Sequence, residues 1–312
     1  MAITKLNHPL LFSNTIKCCF SAKMQTSLRN PRLITQKVLA REQEEGVGAI
    51  VRRGIGRNEL KSLDPFLLLD HFSVTPPAGF PDHPHRGFET VTYMLKGSMT
   101  HQDFAGNKGT INTGEVQWMT AGRGIVHSEM PRGEGPNEGI QLWINLSSRD
   151  KMIEPGYQEL SYEEIQRGEM DGVKVNVIAG ESMGVSSRVY TRTPTMYLDF
   201  VVKPGGGVHQ RVPDTWNAFG YVIEGEGVFG DRDASSVASH NVIVFGDGEG
   251  VSAWNRSSSD LRFLLIAGKP IEEPVVQHGP FVMNSHAQIK QTLEDYYYAK
   301  NGFELARQWS SH

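Results

Sequence analysis

Between residues 47 and 267 the chain alternates short apolar runs with turn residues, at a spacing too tight for helices. Segments 47–53, 89–95, 97–103, 116–119, 141–145 and 173–179 each mix β-branched, aromatic and alternating polar positions, which predicts short strands with two distinct faces. Glycine or proline fills nearly every gap, as at Pro76, Pro77, Gly87, Gly97, Gly106, Gly109, Gly114, Gly122 and Gly124. A second block repeats the first in outline, with strands expected at 195–202, 218–224, 227–230, 241–245 and 261–267. The two blocks share a glycine-bounded cadence, Tyr93-Met94-Leu95-Lys96-Gly97 in one and Tyr221-Val222-Ile223-Glu224-Gly225 in the other. Helical periodicity is weak until the end. There Ser285 is placed to cap a helix carrying Ile289, Leu293, Tyr296 and Tyr297, which Gly302 interrupts ahead of 303–309. The pattern therefore predicts an all-β chain of two sandwich or barrel units, joined by the more polar stretch 146–171 and closed by one helix.

Composition narrows the class. With 312 residues, 38% of them hydrophobic and 21% charged, the chain has the length for two cores and is not expected to be disordered throughout. Its longest apolar stretches, such as 66–69 and 263–267, are far below a membrane span. Cys18 and Cys19 are adjacent and have no other partner, which excludes a disulfide framework. A soluble protein of a reducing compartment is expected, as a monomer. The net charge of −4 divides into +7 over residues 1–41, which lack Asp and Glu, and −11 over residues 42–312. An acidic body of this kind is a poor partner for a phosphate backbone, so direct nucleic-acid binding is not expected. Residues 1–34 read as a disordered basic leader, either a transit peptide or a tail with no address, and Met24 offers an internal start.

The chemistry concentrates in Asp82-His83-Pro84-His85-Arg86-Gly87-Phe88-Glu89 and, about forty residues on, Ile125-Val126-His127-Ser128-Glu129. On extended strands, residues two apart share a face, so His83 pairs with His85 and His127 with Glu129. Two such strands can bring four side chains to one point. Imidazole and carboxylate suit a borderline divalent metal, and no thiolates accompany them as a structural zinc site would usually require. In the second block the counterpart is His209-Gln210-Arg211, and 251–255 contains no histidine. One metal per chain, in the first block, is expected.

These motifs resemble the cupin superfamily: Gly79, His83, His85, Glu89 and Gly97, then Gly114, Gly122 and His127. More narrowly, the runs 79–91 and 117–127, together with Thr191-Arg192-Thr193-Pro194-Thr195 and His278-Gly279-Pro280-Phe281-Val282-Met283-Asn284, are similar to the pirin family of bicupins. The resemblance extends from about Lys37 to Trp309. It implies two tandem cupin (double-stranded β-helix, jelly-roll) domains over 35–165 and 166–309, the first binding metal, the second degenerate and carrying the C-terminal helix. Carried over by position, the metal ligands are His83, His85, His127 and Glu129, and Glu89 has a supporting role near the metal or in the fold. His101 and Gln117 are expected near the pocket, as hydrogen-bonded polar residues. Phe66, Phe72, Phe88 and Trp118 are expected in its walls.

Three neutral imidazoles and one carboxylate leave two octahedral positions on an M²⁺ ion, and the resemblance points to Fe(II)/Fe(III). Two functions follow from it. One is a redox-responsive transcription co-regulator of nucleus and cytoplasm that binds other proteins, such as transcription factors; the leader keeps chloroplast or mitochondrion as the alternative location. The other is a quercetin 2,3-dioxygenase type of enzyme, in which a flavonol and O₂ meet at the metal and Glu129 is the catalytic base. A structural or storage cupin is the third alternative.

Overall fold

The computed structural model describes residues 27–311. Its architecture is two jelly rolls of matching construction. In the first, a seven-stranded antiparallel sheet runs in the order Gly156–Leu160, Val116–Thr120, Phe88–Lys96, Asn137–Asn145, Phe66–Val74, Ala49–Ile55, Arg41–Glu45. Across it lies a four-stranded sheet of Phe80–His85, Ile125–Pro131, Ser98–Asp103 and Lys108–Asn112. The second unit repeats the plan, with a seven-stranded sheet centred on Asn217–Glu224, Leu261–Gly268 and Thr195–Val202. Its four-stranded sheet contains Gly207–Arg211 and Gly250–Trp254.

The two seven-stranded sheets pack face to face. Val91, Tyr93, Trp118, Ile140, Leu142 and Ile144 from one side and Tyr197, Phe219, Tyr221, Leu264 and Ile266 from the other form one buried cluster. Strand Phe88–Lys96 is consequently covered on both faces, and its alternation sorts them. Val91 and Tyr93 turn to the second unit, while Thr92 and Met94 turn into the first barrel. Polar contacts cross the apolar interface too: the Tyr93 hydroxyl donates to Asp199 at 2.7 Å, and Arg262 binds the same carboxylate through two nitrogens at 2.9 and 3.1 Å.

Strand pairing departs from the simple division at 35, 165 and 309 at both ends of the chain. Ile34–Leu39, expected to open the first domain, pairs antiparallel with Asn241–Phe245 of the second. Residues 28–34, assigned to the leader, are packed there as well. Leu28 is buried, and the buried Arg32 guanidinium donates to the carbonyls of Pro213, Asp214, Trp216, Gly246 and Gly248. Five carbonyl acceptors on one planar donor hold this segment to the second unit. Residues 1–26, the rest of the leader, and Met24 lie outside the described residues. The hand-over between the two large sheets falls between Leu160 and Gln166, so the connector 146–171 contributes a strand to each of them, Gly156–Leu160 to the first and Gln166–Met170 to the second.

The C-terminal segment, expected to belong to the second unit, returns to the first. Phe281–Met283 runs beside Arg86, and Met283, Ile289 and Phe303 pack against Val126. The helix spans His286–Tyr297 behind a Ser285 cap whose side chain accepts from the Gln288 amide. It stops before Gly302, and the chain continues through turns at 304–308. Its inward residues are Ile289, Thr292 and Asp295, whereas Leu293 and Tyr297 face outward. The polar inward face exists because Arg86 is beneath it: this buried guanidinium donates to Asp295 at 2.9 Å and Thr292 at 3.1 Å.

Candidate metal centre

Strands Phe80–His85 and Ile125–Pro131 are antiparallel neighbours, and their register sets His83 directly opposite His127. A register shift between His127 and Glu129 leaves the opposing strand one residue longer across Phe80–His83. There the Pro81 carbonyl comes within 2.7 Å of His83 Nδ1 and accepts its proton, which leaves Nε2 as the free donor atom. Behind His85 the chain turns at Gly87, whose φ is +87°. A Cβ there would sit 2.0 Å from the Val282 carbonyl oxygen, so only glycine permits this turn beneath the C-terminal strand. The Lys151 ammonium fixes the same corner by donating to Gly87, Asn145 and Val282.

The result is a compact triad. One nitrogen from each of His83, His85 and His127 lies within 4.8 Å of the other two. Ring centroids are 4.4 Å apart for His83–His127, 4.7 Å for His83–His85 and 5.0 Å for His85–His127. Burial pushes His85 and His127 well below the ordinary histidine range, and the neighbouring His83 ring adds to the effect. Both are therefore neutral near pH 7, the protonation state a metal requires. His85 Nδ1 and both ring nitrogens of His127 are buried with no hydrogen-bond partner. Buried polar atoms without partners are uncommon in folded proteins, and a divalent cation at the centre of the triad would take one nitrogen from each ring.

Glu129 lines the same cavity as His83 and His85, on the same face of its strand as His127. Its carboxylate is not one of the group within 4.8 Å. Instead Oε1 accepts from the Thr92 hydroxyl at 2.9 Å and Oε2 from Gln141 Nε2 at 3.3 Å. Three of the four expected ligands thus converge, and the fourth is held beside them. Glu89 occupies the opposite face of the large sheet, where Trp118 Nε1 at 3.0 Å and the Thr120 hydroxyl at 2.7 Å donate to it. Burial raises its pKa, and its role is in the packing between units, away from the triad. His101 sits opposite Glu129 on the next strand, with Nε2 2.9 Å from Glu159, which also accepts from Gln117.

The cavity in front of the triad holds about 1040 Å³. Phe72 and Phe80 line it, with Met99, Gln141 and Trp143. Phe88 supports the wall, its ring 4.5 Å from that of Trp143 and 5.1 Å from that of His85. Phe66 and Trp118, expected in the wall, are instead fully buried in the core between units: Trp118 alternates onto that face, and Phe66 is turned to it by the register shift that pairs Leu68 with Trp143 and Phe66 with Ile144. Thr92, Gln141 and Trp143 were missed by sequence reasoning. For the last two the pattern Gly139-Ile140-Gln141-Leu142-Trp143-Ile144 shows that they share a face, interleaved with three aliphatic residues, but not which neighbour that face meets; Thr92 has no such signal.

The second unit has no counterpart to this centre among the described residues. His209 there donates to or accepts from the Ser252 hydroxyl at 2.8 Å, and the first-unit triad is the one group of three or more such donor side chains. Paired jelly rolls with a histidine triad in the N-terminal unit define the chain as a bicupin with a candidate metal centre in its first domain. Residues 48–144 match the Pirin family, and residues 197–302 match the Pirin C-terminal cupin domain. The chain belongs to the pirin family. It is 66% identical to a pirin-like protein of Solanum lycopersicum, covering 92% of this chain and 99% of that one. It is 55% identical to pirin of Homo sapiens, covering 89% and 97%. Among solved structures it is similar to quercetin 2,3-dioxygenase from Acinetobacter baumannii, with a TM-score of 0.81 and 32% identity over 88% of this chain and 99% of the other.

Proposed function

We propose that this chain is a metal-dependent oxygenase acting on planar polyphenols of the flavonol type, with iron as the resident metal. The observation that carries the reading is the joining of three imidazoles, those of His85 and His127 buried and neutral, to a cavity of about 1040 Å³ that also presents the Glu129 carboxylate. A purely structural ion needs neither the open volume nor the spare acceptor. The likeness to a quercetin 2,3-dioxygenase supports the substrate class. When bound, the metal supplies Lewis-acid activation of a substrate hydroxyl and a place for O₂ to react. The chain's own residues do the rest. Phe72, Phe80 and Trp143 offer flat apolar walls to an aromatic substrate, and Glu129 accepts the hydroxyl proton within the same cavity. Protein loaded anaerobically with Fe(II) and then exposed to air with quercetin is expected to consume O₂, and His127→Ala to abolish uptake. Absence of uptake by the parent, at full metal content, removes the oxygenase reading.

A second reading, a protein-binding co-regulator of nucleus and cytoplasm, is favoured by the anchoring of the C-terminal helix. Arg86, adjacent to His85, holds Asp295, and the outer face of that helix exposes Tyr297 and Tyr298. A change of metal charge then acts one residue from the helix anchor, next to a surface open to partners such as transcription factors. Equal affinity of one partner for the ferrous and ferric forms eliminates this redox coupling.

A further inference from the structure

Glu129 sits between two sheets that make different demands on it. Its own strand belongs to the four-stranded sheet, with His127 two residues away and His83 on the neighbouring strand. The groups that hold its carboxylate come from the seven-stranded sheet across the barrel. Thr92 and Gln141 are direct cross-strand partners there, on adjacent strands Phe88–Lys96 and Asn137–Asn145, so their side chains stand side by side on one face. Each takes one carboxylate oxygen, Thr92 Oγ1 at 2.9 Å and Gln141 Nε2 at 3.3 Å, and the two side chains also touch at 3.3 Å. The backs of the same strands are locked into the core between units by Val91, Tyr93, Ile140 and Leu142. The backbone that carries this two-pronged cradle is therefore fixed, and only side-chain rotation could follow the carboxylate toward the imidazoles. To join the imidazoles around one ion the carboxylate has to move, and that movement lengthens or breaks the two hydrogen bonds that now hold it.

We infer that Thr92 and Gln141 are positioning residues that compete with the metal for the Glu129 carboxylate. The cradle lowers metal affinity by keeping the fourth ligand away, and in return leaves a hydrogen-bonded proton acceptor free at the edge of the centre. This assignment rests on the metal-centre reading above and adds the pair that decides when Glu129 is ligand and when it is base. Neither residue touches the metal or substrate in this role; both act through Glu129.

Co(II) binding by full-length metal-free protein tests the inference without relying on turnover. Thr92→Val and Gln141→Leu each remove one donor and keep the approximate size of the side chain. Each is expected to tighten Co(II) binding about tenfold at pH 7, the scale of one hydrogen bond to a charged group, and to alter the visible spectrum of the bound ion. Thr92→Ser, which restores the hydroxyl, is expected to match the parent in both measurements, which separates loss of the hydroxyl from disturbed packing. Glu129→Gln is expected to bind Co(II) more weakly than the parent, and adding Thr92→Val to it is expected to change nothing further. If Thr92→Val and Gln141→Leu bind Co(II) no more tightly than the parent while Glu129→Gln binds more weakly, the cradle is overturned and the ligand role of Glu129 stands. If Glu129→Gln binds Co(II) as the parent does, the four-ligand reading and the cradle fall together. Should one single variant fail to fold, the other decides the matter by the same comparison.

Discussion

His127 is 1% exposed and has two ring nitrogens without a partner, in a chain that otherwise satisfies most of its buried polar groups. Such a residue weakens the metal-free fold, since an unsatisfied buried polar group costs about 1–3 kcal/mol. Its burial among His83 and His85 makes sense as preparation for a cation. His127→Leu is therefore expected to leave the metal-free protein as stable as the parent or up to about 1 kcal/mol more so. The same variant should lose the stabilisation that ligand binding confers, about 4 kcal/mol at a metal concentration a thousandfold above Kd. Urea unfolding with and without Co(II) reads both effects, and a metal-dependent midpoint retained in the variant would exclude His127 as a ligand. At this scale the triad was legible, because a period of two places His83 with His85 and the register aligns His127 with them. The cradle was not legible as such. Thr92 and Gln141 are recognisable only once the faces of their strands are known.

Among the elements, the C-terminal helix shows how a local pattern and its tertiary use can diverge. Its cap and position follow from Ser285 and the residues after it, but its apolar Leu293 and Tyr297 are on the outside. Its inward side is held by the Arg86–Asp295 pair, whose side chains are 1% and 2% exposed. Removing one member of a buried pair leaves the other charge uncompensated, typically at a cost of about 3–5 kcal/mol. Asp295→Ala is thus expected to lower stability to urea by about 3 kcal/mol. Cleavage by chymotrypsin at Tyr296–Tyr298 should become faster under native conditions, because the segment loses its main polar anchor. Unchanged stability and cleavage would show that the apolar contacts of Ile289 and Phe303 suffice.

The whole molecule is organised around the contact between the two large sheets, and one histidine there reports on it. His71 of the first unit lies 3.0 Å through Nδ1 from the Tyr221 hydroxyl of the second, and His240 lies 3.4 Å from the same hydroxyl. Burial pushes the His71 pKa down to about 4, reinforced by His240, Arg52 and Arg262. The unfolded chain takes up this proton near pH 6.5, whereas the folded chain resists it until about pH 4, so stability falls as the pH drops through this window. The loss amounts to about 3 kcal/mol from this group. His71→Asn keeps an acceptor near Nδ1 for Tyr221 and removes the titration. Its stability is expected to fall less than that of the parent between pH 6.5 and 4, as read by urea midpoints at each pH. Parallel curves would show that His71 does not govern the acid limb.

Strand periodicity, glycine-bounded turns, the duplicated cadence and the two His-bearing motifs determine the all-β class, the paired units and the triad, since each depends on neighbours in sequence or on the fixed alternation of a strand. Tertiary structure alone decided the exchange of both chain ends between units, the removal of Glu89, Phe66 and Trp118 from the site, and the cradle that holds Glu129. These are outcomes of which face of a sheet meets which neighbour. A strand covered on both sides, such as Phe88–Lys96, has no polar face to announce its orientation. Only the packing of sheet against sheet assigns one set of alternate residues to the cavity and the other to the interface.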